Sequence, residues 1–359
     1  MRILLLYSFI LYSLLGFSQP PTGYYNSAQG LTGFALKTEL KEIITNGYNG
    51  QSYGDLLDLY ETSDNDDHYD AGGSFTILDI YSENPDGPDA YNYFFNDNCG
   101  NVSSNEGGCY NREHLFPQGR FNRQEPMRCD AHHVVPTDGQ VNGRRSSFPF
   151  GVVNNPSFTS LNGSKVGPSV TPGFNGTVFE PIDEFKGDIA RSLLYFATRY
   201  EDNFNDQSWD SPNATNDPRD GSQNRWYEQW YIDLLVQWHN QDPVGDRELE
   251  RNNEVFKHQN NRNPYIDNPD YVNMIWSTTA SNEDALLASV SIYPNPSNGL
   301  FSIRGLHEMA GISIWDVSGR LIQSNYSLDE DSFRIDGAGV YFVKLEANTA
   351  NKVFKVIVN

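Results

Sequence analysis

Apolar residues in this chain keep a helical spacing for most of its length and then, near residue 289, switch to strand-like alternation. A 3.6-residue stripe cannot sit on a strand, nor an alternating run on a helix, so the switch divides the chain into two kinds of structure. Before it, Leu36, Leu40, Ile43 and Ile44 recur at helical spacing and predict a helix to about residue 45. Residues 52–54 with Leu56–Tyr60 open a second, shorter one. Phe185, Ile189, Leu193 and Phe196 make another stripe, with Asp183 near its start, and residues 226–238 and 247–260 carry two more. Their aromatic stripes read as core. Between these helices, FTILDIYS (75–82) and AHHVVP (131–136) read as strands. After the switch, SVSIYP, GLFSIRG, GISIWDVSG, GVYFVKLEA and KVFKVIVN alternate between Gly and Asn-Pro turns. The expected fold class is therefore α+β: a mainly helical domain with a small sheet at 19–275, a linker at 276–288, and an all-β sandwich at 289–359.

Residues 1–18 are set apart. Arg2 precedes an apolar run from Ile3 to Phe17, and Gly16-Phe17-Ser18 offers small residues for cleavage after Ser18 or Gln19. This is the pattern of a secretory signal peptide rather than a lasting membrane span. A secreted or cell-surface protein is the expectation, and export permits disulfides. Of three cysteines, Cys99 and Cys109 bracket a Gly/Ser/Asn-rich loop and are expected to pair, leaving Cys129 over. The formal net charge of −22 opposes a polyanionic partner overall, but residues 101–150 hold six arginines against five acids. The acids concentrate in loops such as 58–70 and 201–220, where solubility is the plain explanation. Calcium binding at Asp64-Asn65-Asp66-Asp67 is the sharper alternative, without the spacing of a known calcium loop.

The chemistry is concentrated in residues 111–151, which hold three of the seven histidines. Glu113 and Asn142 are oxygen ligands for a hard cation such as Mg²⁺, which keeps several waters and needs few protein ligands. His114, with an ordinary pKa near ~6.5, suits a general base at neutral pH. Arg144 and Arg145, beside Asn142, could hold phosphate, with Arg145 counted among the substrate-binding residues. Asp138 is placed to cap a helix carrying Val141, Asn142 and Arg145. Adjacent strand residues point to opposite faces, so Glu113 and His114 can serve one site only at a strand end or distortion, and Pro117 suits an end there. His132 and His133 read mainly as scaffold around Asp130, and Arg191 and Arg251 as ion-pair partners. Two rival readings follow from the same residues: a zinc hydrolase using Asp130, His114, His132 and His133, and a non-enzymatic surface adhesin built from the aromatic-rich body and the sandwich.

The segments Arg112–Pro117, Asp130–Pro136 and Gly139–Ser146, followed by Phe179-Glu180-Pro181, Lys186–Arg191 and Asn260–Tyr265, resemble the secreted endonuclease I family of ββα-metal nucleases over roughly residues 22–275. The resemblance implies a metal-dependent, non-specific endonuclease that cuts DNA, often RNA too, and leaves 5′-phosphates. It implies His114 as general base and Glu113 with Asn142 as holders of one divalent ion, most readily Mg²⁺, with Mn²⁺ or Ca²⁺ possible. It also implies a phosphate-holding arginine in the loop after Glu113-His114, for which Arg120, Arg123 and Arg128 are the candidates and Arg123 is placed first. Tyr293–Pro296, Asp316–Arg320, Gly339–Tyr341 and Lys355–Val358 resemble the sorting domain of type IX secretion in Bacteroidetes. That implies export across the outer membrane, with the type IX machinery as partner, followed by removal or exchange of the domain. A monomer without a stable membrane span is expected.

Overall fold

The computed structural model describes residues 19–70, 75–100, 104–204, 206, 208–209, 216–277, 290–304, 311–326, 332–347 and 350–359. The expected signal peptide and nearly all of the expected linker lie outside these residues. The chain divides into two compact units. One holds most of the described chain up to Val272, and the other holds Gly30–Lys37 with the residues from Asn273 onward. None of the described helices is long and apolar enough to cross a membrane.

The first unit is built on helices. Lys186–Arg199 packs along Gln229–Gln241, and Asp55–Ser63 packs on Asp246–Gln259. The stripe of the first of these buries Ile189, Leu193 and Phe196, and Phe196 meets Trp226 with ring centroids 5.6 Å apart. The helix expected from residue 226 begins only at Gln229, because Trp226 takes a positive φ of 67° that no helix continues. A second buried cluster joins Leu56, Leu59, Tyr60, Ile77, Tyr93, Tyr110, Val134 and Val255.

Sheet structure in this unit is confined to short antiparallel pieces. Tyr110–His114 pairs with Val134–Asp138, Thr76–Ile77 with Tyr93–Phe94, and Phe158–Thr159, Lys165–Pro168 and Thr177–Glu180 form a three-stranded sheet. The strand expected over 75–82 stops after Ile77. The reason is Asp79, whose carboxylate accepts the Tyr81 backbone N–H at 2.8 Å and the Ser82 hydroxyl at 2.7 Å and so turns the chain. The strand expected over 131–136 runs instead from Val134 to Asp138, since Asp130 binds the His132 backbone N–H at 3.1 Å and holds residues 131–133 in a turn.

The second unit contains two antiparallel sheets. Leu321–Tyr326, Gly311–Asp316, Gly339–Ala347 and Ala350–Val358 lie side by side in that order, and Ser332–Arg334, Leu300–Arg304 and Ser291–Tyr293 form the other sheet. Alternation turns Phe301, Ile303, Ile312, Ile314, Val343, Leu345 and Val356 into one buried core. Leu321–Tyr326 and Ser332–Arg334 are strands without a strong alternating signal in the sequence.

Candidate active site

The forty-residue run folds into two antiparallel strands followed by a helix. Tyr110–His114 and Val134–Asp138 stay in register from Tyr110↔Asp138 to His114↔Val134. Asp138 then starts the helix Gly139–Arg145: its Oδ1 accepts the backbone N–H groups of Gln140 at 2.7 Å and Val141 at 2.8 Å. The other oxygen, Oδ2, accepts from the Tyr93 hydroxyl at 2.5 Å and the Gly107 N–H at 2.9 Å. One carboxylate thus ties the helix to two other segments. Cys99 and Cys109 are joined by a disulfide just before the first strand, and Cys129 is free and buried.

Alternation along the first strand sorts the side chains. Asn111 and Glu113 share the face met by the helix. The Asn142 Nδ2 donates to Asn111 Oδ1 at 2.7 Å, leaving the Asn142 carbonyl oxygen for another partner. Glu113 is buried, and its Oε1 accepts the Tyr81 hydroxyl at 3.0 Å and lies 3.3 Å from Arg145 Nε. Both contacts fall on Oε1, which leaves Oε2. Burial pushes the Glu113 carboxyl up, and Arg145 and Tyr81 oppose that. An added cation near Oε2 would act in the same direction as Arg145. An anionic and a neutral oxygen are the donor types that suit a hard divalent ion.

Arg145, expected among the substrate-binding residues, is sealed into the scaffold. It is 1 % exposed, its guanidinium donates to the carbonyls of Leu115 (2.5 Å), Ser146 (3.2 Å) and His114 (3.4 Å), and it lies over the Phe150 ring. It pins the strand end to the helix. Its two terminal nitrogens are engaged with protein carbonyls, and its Nε is buried towards Glu113.

His114 closes the strand and occupies the other face. Its ring lies near Tyr53, Phe121 and His133, with centroids 5.9–6.1 Å away. The regular register through both residues thus carries the Glu113 and His114 side chains apart, which counts against both reaching substrate from one strand face. The Nε2 of His114 sits 3.1 Å from the Arg128 carbonyl oxygen. A carbonyl can only accept, so Nε2 carries the proton and Nδ1 keeps its lone pair. Burial drives the imidazole pKa well below its ordinary value, and His133, Arg128 and Arg112 add to this as nearby positive or ionisable groups. The ring is therefore neutral at neutral pH.

The candidate arginines separate clearly. Arg120 is buried, 3.9 Å from Asp217. Arg123 is exposed in a left-handed turn with φ 57°, in no ion pair among the described residues. Arg128 lies 4.1 Å from the Tyr53 ring centre, and Arg112 lies 3.6 Å from it and donates to the Tyr53 carbonyl at 2.6 Å. These two guanidiniums stand on the His114 side. Tyr53, Tyr81, Asn111 and Arg112 were not singled out from sequence, although period-two alternation already groups Asn111 with Glu113 and Arg112 with His114.

The zinc set does not assemble. His132 Nε2 donates to the Asn261 carbonyl at 3.1 Å and His133 Nε2 to the Met127 carbonyl at 2.6 Å. Asp130 is filled by the hydroxyls of Tyr195 and Tyr200 and by Gln259. Among the described residues, the group of acidic or histidine side chains close enough to share an ion is Asp66, Glu83 and Asp89, none of which is in that set. Burial lowers the pKa of His132 and of His133 to about 4, so both are neutral scaffold. Arg191 pairs with Glu248, and Arg251 with Asp64 at 2.8 Å.

Known proteins are similar to much of this chain. "Extracellular ribonuclease" of Bacillus subtilis is 32% identical over 259 residues, covering 70% of this chain and 78% of that protein. "Extracellular ribonuclease" of Bacillus amyloliquefaciens is 31% identical over 262 residues, covering 70% and 78%. "Endonuclease-1" of Buchnera aphidicola is 27% identical over 146 residues, covering 41% and 49%. These relatives and the family below make the chain a phosphodiester hydrolase, a nuclease of the secreted or cell-surface kind. The chain belongs to the Endonuclease I family, whose model matches residues 32–270. Residues 291–359 match the secretion system C-terminal sorting domain, the tail of type IX secretion.

Proposed function

We propose that this nuclease is a metal-dependent endonuclease acting on DNA and RNA without sequence preference, with His114 as general base and 5′-phosphate products. The observation that carries the reading is the His114 Nε2–H held by the Arg128 carbonyl, which fixes the tautomer and frees Nδ1 to take a proton from water. Glu113 Oε2 and Asn142 Oδ1 would hold one divalent cation, most readily Mg²⁺, with Mn²⁺ or Ca²⁺ as alternatives. Such an ion supplies charge neutralisation at the phosphate and at the leaving oxygen. Because Glu113 and His114 diverge, the reacting phosphate is placed across the end of the strand, where His114 is the last paired residue. Arg128 and Arg112 border that end and are proposed to hold phosphate, in place of Arg123. The names of the two ribonuclease relatives support RNA as a substrate, and the endonuclease relative supports internal cleavage.

The test is cleavage of supercoiled DNA and of structured RNA with Mg²⁺, Mn²⁺ or Ca²⁺, comparing wild type with Glu113→Ala, His114→Ala, Asn142→Ala and Arg128→Ala. Loss of about 10³-fold in His114→Ala with the fold retained is expected. Equal activity of wild type and His114→Ala would remove the base from the scheme, and cleavage unaffected by chelator would remove the ion. Ligation of the products to a 3′-hydroxyl end reports the 5′-phosphate.

A further inference from the structure

Outside the candidate active site, Asp66, Glu83 and Asp89 each bring one carboxylate oxygen within 4.8 Å of the other two. Asp66 and Glu83 are each 1 % exposed. Both carboxylate oxygens of Asp66 and Oε2 of Glu83 are buried with no hydrogen-bond partner. Buried carboxylate oxygens are ordinarily satisfied; here the partner is either a proton shared between Asp66 and Glu83 or a cation bound by the three carboxylates. The backbone holds them in place. The Asp66 N–H donates to the Thr76 carbonyl at 3.0 Å, the Glu83 N–H to the Asp79 carbonyl at 2.9 Å, and Asp89 Oδ1 accepts the Asn84 N–H at 2.6 Å. The charges that act on Asp66 and Glu83 from nearby, those of Asp70 and Asp89, are negative as well. Neighbouring Asp64 is different, being paired with Arg251, and Asp67 accepts from Asn65 at 3.0 Å. Of the Asp64–Asp67 run that sequence marked for calcium, only Asp66 belongs to this group.

We propose that Asp66, Glu83 and Asp89 form a calcium site that staples the 79–89 loop to the segment following the helix Asp55–Ser63. Three carboxylates offer an all-oxygen set, which calcium accepts in flexible geometry with many protein ligands, whereas magnesium demands near-ideal octahedral geometry and keeps several waters. Without the ion, burial and the like charges push the carboxyl of Asp66 up to about 6 and that of Glu83 up to about 9. The site is structural and uses none of the candidate active-site residues. It bears on them nonetheless, because Asp79 at the start of the loop accepts the Asp138 backbone N–H at 2.7 Å, and Asp138 caps the helix that carries Asn142.

The experiment follows the thermal midpoint of the full chain, stripped with chelator and dialysed, on addition of calcium alone and of magnesium alone. Wild type and Glu113→Gln should both gain roughly 5 °C with calcium and clearly less with magnesium. Glu83→Gln should lose the gain while remaining, without calcium, close to wild type in stability, since the amide matches the uncharged carboxyl in size and shape. Asp89→Asn, at a half-exposed position and keeping the oxygen that binds Asn84, should need at least about tenfold more calcium for the same gain. The proposal is overturned by a wild-type midpoint indifferent to about 10 mM calcium, or by an undiminished gain in both Glu83→Gln and Asp89→Asn. Loss of the gain in Glu113→Gln alone also overturns it, by placing the ion in the active site.

Discussion

Arg145 gives the sharpest test of the site's construction, because its chemistry and its placement point to different roles. Replacing it with methionine keeps most of the volume but removes the charge paired with Glu113 at 3.3 Å and the donors to the carbonyls of His114, Leu115 and Ser146. Both members of the pair are almost fully buried. Removing one partner of such a pair typically costs about 3–5 kcal/mol, because the remaining charge has neither water nor counterion. For a unit of this size that corresponds to a fall of roughly 10 °C in the unfolding midpoint. Adding Glu113→Gln to Arg145→Met should restore part of the loss, with a coupling of about 1–3 kcal/mol in a double-mutant cycle. Circular dichroism against temperature and urea, at matched calcium and magnesium, provides the readout. A substrate-binding arginine would behave otherwise: normal stability, weaker nucleic-acid binding and a shallower salt dependence. Stability within about 0.5 kcal/mol of wild type, together with weakened binding, would refute the pinning role.

Other outcomes follow from single features. Replacing Cys99 and Cys109 by serine opens a loop with a sequence separation of 10 and should cost about 3 kcal/mol, while peptide mapping should find Cys129 as a free thiol. His114 acts only when neutral and its pKa is depressed, so the acid limb of kcat/KM should fall below pH ~6.5; a limb above it would contradict the buried, neutral ring. His133 stays neutral in the folded state down to about pH 4, whereas the unfolded chain takes up a proton below pH ~6.5. Its contribution is therefore complete above that value and lost as pH falls towards 4, amounting to about 3 kcal/mol. A His133→Asn variant, less stable at pH 7, should consequently lose less stability than wild type over that interval in urea titrations.

Helices were the most legible part of the chain. The stripes at 36–44, 185–196 and 247–260 correspond to Gly33–Thr45, Lys186–Arg199 and Asp246–Gln259, because a helix that buries one face must repeat apolar residues along it. Strands were harder to read where a single side chain decided the outcome. Asp79 ends one by capturing its own backbone, and Asp130 delays another. Leu321–Tyr326 is weakly marked because Leu321 and Ile322 stay exposed, and Ser332–Arg334 because at three residues, with Phe333 alone turned inward, it is too short to show an alternation. In the site, the identities of Glu113, His114, Asn142 and the capping Asp138 were readable because they lie close together in a run of few alternatives. Tyr53 and Tyr81 were not, since they reach the site from segments some thirty to sixty residues away in sequence.

Sequence alone therefore determined the two kinds of structure, the family resemblance and the residues able to carry the chemistry, because spacing and side-chain type are local properties. Which of those residues face a site and which are sealed into the scaffold was decided by tertiary structure. Arg145, His132 and His133 have the same functional groups as a phosphate grip or a metal ligand, but their donors are spent on carbonyls brought to them by other segments. His114 holds Nε2 on a carbonyl in the same way, but it does so at the end of its strand, beside the guanidiniums of Arg112 and Arg128. The same logic separates Asp64 from Asp66, two residues apart, one neutralised by Arg251 and the other left among carboxylates. Charge and hydrogen-bonding capacity are written in the sequence, but whether they are already satisfied depends on neighbours that only folding brings near.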